Sequence, residues 1–394
     1  MARPQRLHIP GAVDNPRPKP ALANRLERVL GKLNGDGRSL KINAQITTAR
    51  RKQRPIHDSA PSNAKSLTAG ALFAGIGGFC LGFARAGITT VWAIDNDEYA
   101  ERSYRQNLPS PTFLRKDVRV TSARRDLEPV DVLHAGFPCQ SFSQAGVRRG
   151  FHDERGRLFY EIPRIIAEFK DRKPKVLVLE NSPYLRYGEG GAWFLELQRQ
   201  IQKAGHWFRE VNCAELDSYH LTELPQRRTR LYMVAFSIAF FRSSRFEFPH
   251  DRHLAPKRLT DYIDFDGQKP DEYYLPQGNR YYDMISEKAS DRKSIYQLRK
   301  YMVRVKEPET CPTLTANMGL GGHNVPFVFD GRGLRKLTEQ ECLRLQGFPA
   351  SFDFPEDVPR ARRYIQIGNA VTVPVAELVA QRVKQKITSE HPDA

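Results

Sequence analysis

The sequence predicts an α/β protein built on a doubly wound, mostly parallel sheet, followed by a smaller, irregular second domain. Three observations carry that expectation. From Leu67 onward, short apolar and β-branched runs alternate with stretches of helical periodicity, which is the pattern of a sheet with helices on both faces. The first run leads into Gly75-Ile76-Gly77-Gly78, a turn that opens a helix. A later one leads into Gly136-Phe137-Pro138-Cys139, where Pro138 cannot extend the strand and leaves Cys139 at its C-terminal edge. In open α/β sheets ligands bind along that edge.

Taken in order, the first twenty residues contain Pro4, Pro10, Pro16, Pro18 and Pro20 and read as irregular. Leu22, Leu26, Val29, Leu30 and Leu33 then recur at helical spacing, fitting a short helix that packs on the main domain, serves as a docking element or binds DNA. Strands are expected at 68–73, 90–94, 130–134, 175–179 and 231–236, with a further short one ending at Asp117. Helices are expected between them at 79–86, 98–107, 158–169 and 192–204. After Phe236 the regularity gives way to a segment rich in Tyr, Arg, Asp and Pro. A helix at 338–345 and an amphipathic closing segment at 364–386 complete the pattern. The chain therefore divides into an N-terminal extension (1–65), a main α/β domain (66–240), a smaller domain (241–333) and a C-terminal part (334–394).

The 394 residues carry a net charge of +17 and a pI near 9.7, the footprint of a polyanion binder. Residues 1–65 hold 14 Lys or Arg against 4 Asp or Glu, a net of +10. That stretch reads as a solvated arm or as a DNA contact. No run approaches the ~20 apolar residues of a membrane span, and the N-terminus has no signal-peptide core, so the protein is expected in the cytoplasm. The five cysteines, at 80, 139, 213, 311 and 342, are odd in number and lack a CxxC pair. This argues against a disulfide framework and against a zinc site.

Several residues have a chemistry of their own. The Gly75-Ile76-Gly77-Gly78 turn lets backbone approach a ligand near a helix N-terminus, but it is off register for a dinucleotide fingerprint. Asp95 ends a strand where a carboxylate can take both hydroxyls of a ribose, and Asp117 can accept from an adenine amino group. Cys139 sits at a loop-to-helix junction, where exposed N–H groups favour a thiolate. A buried structural cysteine would explain neither Pro138 nor the Gln-Ser-Phe-Ser that follows. Glu180 follows the apolar strand Val176 to Leu179, a place where burial raises a carboxyl's pKa. Arg228 and Arg230 alternate on one face of the next strand and can enter one pocket.

The run Gly136-Phe137-Pro138-Cys139-Gln140-Ser141-Phe142-Ser143 resembles the nucleophile motif of the DNA cytosine-5 methyltransferases. Phe73 to Phe79, Glu180-Asn181-Ser182, Gln226 to Arg230, Arg335 to Glu339 with Arg344 to Pro349, and Gly368-Asn369-Ala370-Val371 are similar to that family's other motifs and stand in its order. The resemblance spans residues 68 to about 380, roughly four fifths of the chain. It implies an S-adenosylmethionine-dependent, Rossmann-like methyltransferase fold and a prokaryotic type II modification enzyme that acts on cytosine C5 of double-stranded DNA. Under it the cofactor lies against Phe73, Gly75, Ile76, Gly77, Gly78, Asp95, Asn96, Asp117, Val118, Pro138, Leu158, Asn369, Ala370 and Val371. One departure is visible: an aromatic that often follows the ribose acid is here Asn96, so adenine stacking falls to Ile76 or Val118. Cys139 would add to C6 of a flipped cytosine, Glu180 would hold N3 and N4, and Arg230 would hold O2, with Arg228 beside it. Ser141, Gln144, Arg148 and Arg149 lie on a loop suited to closing over DNA. Thr313, Leu314, Gly321 and Gly322 resemble the core of a target-recognition domain placed in 241–333. A monomer is implied, with a cognate restriction endonuclease as a possible neighbour. The rivals are a transfer-RNA cytosine-5 methyltransferase, a non-catalytic DNA-binding regulator and, more remotely, a nicotinamide oxidoreductase.

Overall fold

The computed structural model describes residues 66–391 except 139–149, 205–206, 252–253, 256, 290–292, 300–301 and 321–323. Residues 1–65 and 392–394 also lie outside the described residues, and with them the expected N-terminal helix and basic arm.

A seven-stranded sheet organises the molecule. Its strands are β1 (Thr68–Leu72), β2 (Thr89–Asp95), β3 (Thr112–Arg115), β4 (Val132–Ala135), β5 (Val176–Asn181), β6 (Phe208–Asp217) and β7 (Thr229–Ser237). Their spatial order is β3-β2-β1-β4-β5-β7-β6. The first five run parallel, whereas β7 is antiparallel to both β5 and β6. The direction of winding reverses between β1 and β4, which opens a crevice at their C-terminal ends. β6 has no counterpart in the sequence reading. It is an edge strand whose exposed Arg209, Glu210 and Glu215 dilute the apolar signal.

The period of two divides the core. Val132, Val176 and Val178 face one side with Phe79, Phe83, Val375 and Val379. Leu133, Leu177 and Leu179 face the other with Ile162, Ile165, Leu197 and Ile201. On the first side, the helix Gly78–Arg85 lies against the C-terminal helix Val373–Glu390. Gly82 makes this close approach possible, because a Cβ there would fall 2.7 Å from both Ala376 Cβ and Glu377 N. The closing segment is two helices, Arg360–Asn369 and Val373–Glu390. Pro374 sits in the first turn of the second, where it costs no intrahelical bond.

Where the sequence showed only irregular patterning, a second sheet forms from β8 (Tyr296–Arg299), β9 (Met302–Val305), β10 (Val325–Phe329) and β11 (Leu334–Lys336). It is antiparallel, in the order β11-β10-β8-β9, and its strands of three to five residues are too short to declare a period. Arg335, 0% exposed, anchors it. Its guanidinium meets Glu341 at 2.8 and 2.9 Å, Asp330 at 2.6 Å and the Asp264 carbonyl at 2.7 Å. Glu341 also completes a capping box with Thr338 on the helix Glu339–Leu345. No helix among the described residues is long and apolar enough to cross a membrane.

Candidate active site

A cleft of about 520 Å³ occupies the crevice at the ends of β1, β2, β4 and β5. Its first wall is the turn after β1. Phe73, Gly75 and Gly77 adopt left-handed backbone angles, with φ of 55°, 53° and 86°, and so reverse the chain from strand into helix within a few residues. Gly75 N donates to Asp95 at 2.8 Å. Gly78 packs so closely that a Cβ would stand 2.3 Å from the Val371 carbonyl oxygen. The turn and the segment after Asn369 therefore form one continuous surface.

The second wall carries the acids. Asp95, at the end of β2, accepts from Gly75 N and, at 3.0 Å, from Asp97 N, while burial pushes its carboxyl up. Asp97 caps the helix Glu98–Asn107 through Tyr99 N and Ala100 N. Asp117 is held below the usual carboxylate range by Arg119, whose guanidinium grips it at 2.6 to 3.1 Å. The same guanidinium reaches Glu154 at 3.0 Å on the facing side. Asn96 is exposed at the rim.

The third wall is the polar end of β5. Glu180 is 8% exposed, and its Oε1 lies 3.2 Å from Arg230 Nε. Burial raises its carboxyl, an effect opposed by the positive charges of Arg230 and Arg228. Next to it, Asn181 Nδ2 donates to the Phe137 carbonyl at 3.1 Å, which fixes the turn that ends at Pro138. Arg228 sits just before β7, 3% exposed. It donates to the carbonyls of Leu314 (2.6 Å), Gly368 (3.1 Å) and Ala370 (2.9 Å).

Of the residues singled out in the sequence, Phe73, Gly75, Gly78, Asp95, Asn96, Asp117, Val118, Pro138, Leu158, Asn369, Ala370 and Val371 line this one cleft together with Glu180, Arg228 and Arg230. Others are placed elsewhere. Ile76 is buried in the core with Leu314, Leu345 and Ile367, so it offers no face for stacking. Gly77 packs against Leu108 and Tyr104. Leu314, 1% exposed, contributes backbone bonds to Gln226 and Arg228 instead of a surface for DNA, and the Thr313 hydroxyl donates to the Arg227 carbonyl. Cys139, Ser141, Gln144, Arg148, Arg149, Gly321 and Gly322 lie outside the described residues.

Among the lining residues not singled out from the sequence are Arg119, His134 and Gln366. His134 is the only ionisable residue of β4 and stacks near Phe79 and Phe83, with ring centroids 5.0 and 4.7 Å away. Burial pulls its imidazole down to about 3, so it is neutral. Gln366 receives Ser103 Oγ on its Oε1, but its buried Nε2 has no hydrogen-bond partner among the described residues. A histidine in an apolar strand and a glutamine on a helix's buried face were the signals available.

Residues 67–385 match the family model described as C-5 cytosine-specific DNA methylase. The chain belongs to this family. The methylase is 37% identical to the type II methyltransferase M.Bsp6I of Bacillus sp. (strain RFL6) over 80% of its own length and 98% of that protein's. It is 33% identical to M.NlaX of Neisseria lactamica, over 81% and 96%. Among solved structures it resembles the Entamoeba histolytica methyltransferase EhMeth (TM-score 0.61, 18% identity, 83% and 99% coverage). It also resembles the S. pombe Dnmt2 methyltransferase (0.59, 19%, 81% and 99%). At these identities the two structures establish the fold alone.

The methylase is thus a DNA cytosine-5 methyltransferase, and its methyl donor is S-adenosylmethionine. The cleft fits that group. It offers a glycine turn, two carboxylates at strand ends, and an unpartnered buried donor at Gln366.

Proposed function

We propose that the methylase modifies one cytosine within a short sequence of double-stranded DNA, through a covalent bond between Cys139 and cytosine C6. The observation that carries this reading is the pairing of Glu180 with Arg230 in the cleft lined by the glycine turn and Asp95, with Pro138, the residue before Cys139, at its lip.

A stacked cytosine hides both faces of its ring, so the base leaves the duplex to enter the cleft. The Cys139 thiolate then bonds to C6, and the electron pair displaced from the C5–C6 bond makes C5 nucleophilic. Glu180, protonated more readily because it is buried, hydrogen-bonds N3 and N4 as negative charge develops on the ring. Arg230 supports the Glu180 carboxyl and holds O2. When bound, the cofactor supplies an electrophilic methyl group to C5. Loss of the C5 proton then returns the electron pair, expels the Cys139 thiolate and restores the aromatic base. Asp95 and Asp117 would hold the ribose hydroxyls and the adenine amino group, with Phe73, Val118 and Leu158 as apolar walls.

On this reading residues 66–240 form the catalytic domain, residues 241–333 read the sequence, and residues 334–394 return to complete the cofactor wall. The extension at 1–65 adds sequence-independent affinity through its charge. Similarity to type II methyltransferases supports a restriction-modification role in the cytoplasm, with an endonuclease of the same specificity as counterpart. One asymmetric reader acting on one strand at a time makes the working unit a monomer.

Bisulfite sequencing of genomic DNA from a cytosine-methylation-free host expressing the chain tests this directly, beside the Cys139→Ala variant. Protected cytosines in one motif, absent in the variant, are expected. Protection that persists in Cys139→Ala would refute the covalent scheme. Folded protein that protects no DNA but methylates transfer RNA would establish the RNA reading instead.

A further inference from the structure

Two walls with different tasks share their anchors. Residues 311–316 form the stem of the segment assigned to DNA recognition, and residues 368–372 form the turn facing the cofactor. Arg228 bonds both at once, with Nη1 on the Leu314 carbonyl and Nη2 on the carbonyls of Gly368 and Ala370. A second link runs parallel to it. Gln226 Oε1 accepts from Leu314 N at 3.0 Å, and Gln226 Nε2 donates to Gln346 Oε1 at 3.3 Å. That same Gln346 oxygen accepts from Thr372 Oγ1 at 3.0 Å, while Gln346 Nε2 donates to the Ile367 carbonyl at 3.0 Å.

Gln226, Arg228, Gln346 and Thr372 are all buried, so water offers no substitute partner if a link breaks. The backbones also touch. A Cβ on Gly368 would come within 2.2 Å of both the Thr315 carbonyl carbon and Ala316 N. Neither wall can shift by an ångström without breaking the hydrogen bonds that hold the other.

We propose that Arg228 is a positioning residue that couples cofactor binding to DNA binding, by fixing the recognition stem and the cofactor turn through one guanidinium. The inference rests on the functional reading above for what each wall holds. Because the two walls can move only together, a ligand that draws one of them in sets the other as well, and the second ligand meets a wall already placed. The coupling is reciprocal by linkage, so the factor is the same in either direction.

The test measures four dissociation constants. One pair is for a duplex carrying the motif found by bisulfite sequencing, by fluorescence anisotropy, with and without saturating S-adenosylhomocysteine. The other pair is for S-adenosylhomocysteine, by calorimetry, with and without the duplex. In the wild type each ligand should tighten the other by about tenfold or more, within the usual range of allosteric coupling. Arg228→Lys cannot present a planar fork to three carbonyls, and should bind each ligand alone while the factor falls below about threefold. Thr372→Val, which keeps shape and removes only the Gln346 link, should give an intermediate factor.

A wild-type factor near one overturns the proposal, as does an unchanged factor in Arg228→Lys. If Arg228→Lys fails to fold by circular dichroism, Thr372→Val decides, and an unchanged factor there overturns it. A wild type that binds neither S-adenosylhomocysteine nor the duplex would instead refute the functional reading itself.

Discussion

Replacing Glu180 by Gln separates its chemistry from its burial, because the two effects have opposite signs. The side chain is 10% exposed and its Oε1 lies 3.2 Å from Arg230 Nε, and glutamine keeps its shape and an oxygen for Arg230 while losing the proton that moves. General acid and base groups contribute about 10²- to 10⁴-fold to rate, so kcat should fall by that factor, or about 3–5 kcal/mol of barrier. The affinity for S-adenosylhomocysteine should stay within about twofold, well under the 1.4 kcal/mol of a tenfold change, since the acids assigned to the cofactor are Asp95 and Asp117 on other elements. Stability should move the other way. Burial raises the Glu180 carboxyl above its unfolded value, so the folded state binds the proton more tightly. The stabilisation this provides is complete below the unfolded pKa and is lost as pH rises through the folded one. Glutamine removes that dependence, and at neutral pH the variant should be as stable as the wild type or more so. Single-turnover methylation with a tritiated donor and urea denaturation at several pH values provide the measurements. A variant within fivefold of wild-type kcat, or one markedly less stable than the wild type at neutral pH, would refute the assignment.

Two further substitutions test the framework. Arg335→Met leaves Asp330 and Glu341 buried without their cation, and should cost about 3–5 kcal/mol in urea denaturation; a loss under about 1 kcal/mol would show that the ion cluster does not hold the second sheet in place. Gly82→Ala places a methyl 2.7 Å from Ala376 Cβ and Glu377 N, and should destabilise by about 1–3 kcal/mol by forcing the two helices apart, whereas an unchanged melting temperature would refute the close packing inferred there.

Much of this architecture was legible in the sequence, and the failures have physical causes. β1, β2, β4, β5 and β7 announced themselves because buried strands are continuous apolar runs. β6 and the second sheet did not, since an edge strand needs little burial and strands of three to five residues hold no full period. The closing helices read as one because Ala370 to Thr372 are as apolar as their neighbours, and only Pro374 marked the break. In the site, Asp95, Asp117 and Glu180 could be found because acids at strand ends have few structural reasons to be there. Gln366 was missed because its partner Ser103 lies 263 residues away, and Arg119 because, beside its near neighbour Asp117, it also reaches Glu154, 35 residues on, which only the fold brings close. Ile76 was misassigned as a stacking face for the converse reason: Gly75 and Gly78 beside it line the cleft while its own side chain enters the core.

The cofactor wall joins residues just after β1 to the turn before the C-terminal helix, some 290 positions later in the chain and among the last of the described residues to leave the ribosome. Synthesis therefore imposes a timetable. Every other wall of the cleft is made well before Val371 arrives to close it, and a nascent chain that already carries the segment proposed to read DNA still lacks the last side of the cleft. On the proposed assignment of these segments, a methylase made in this order has its reader in place before its cleft is complete.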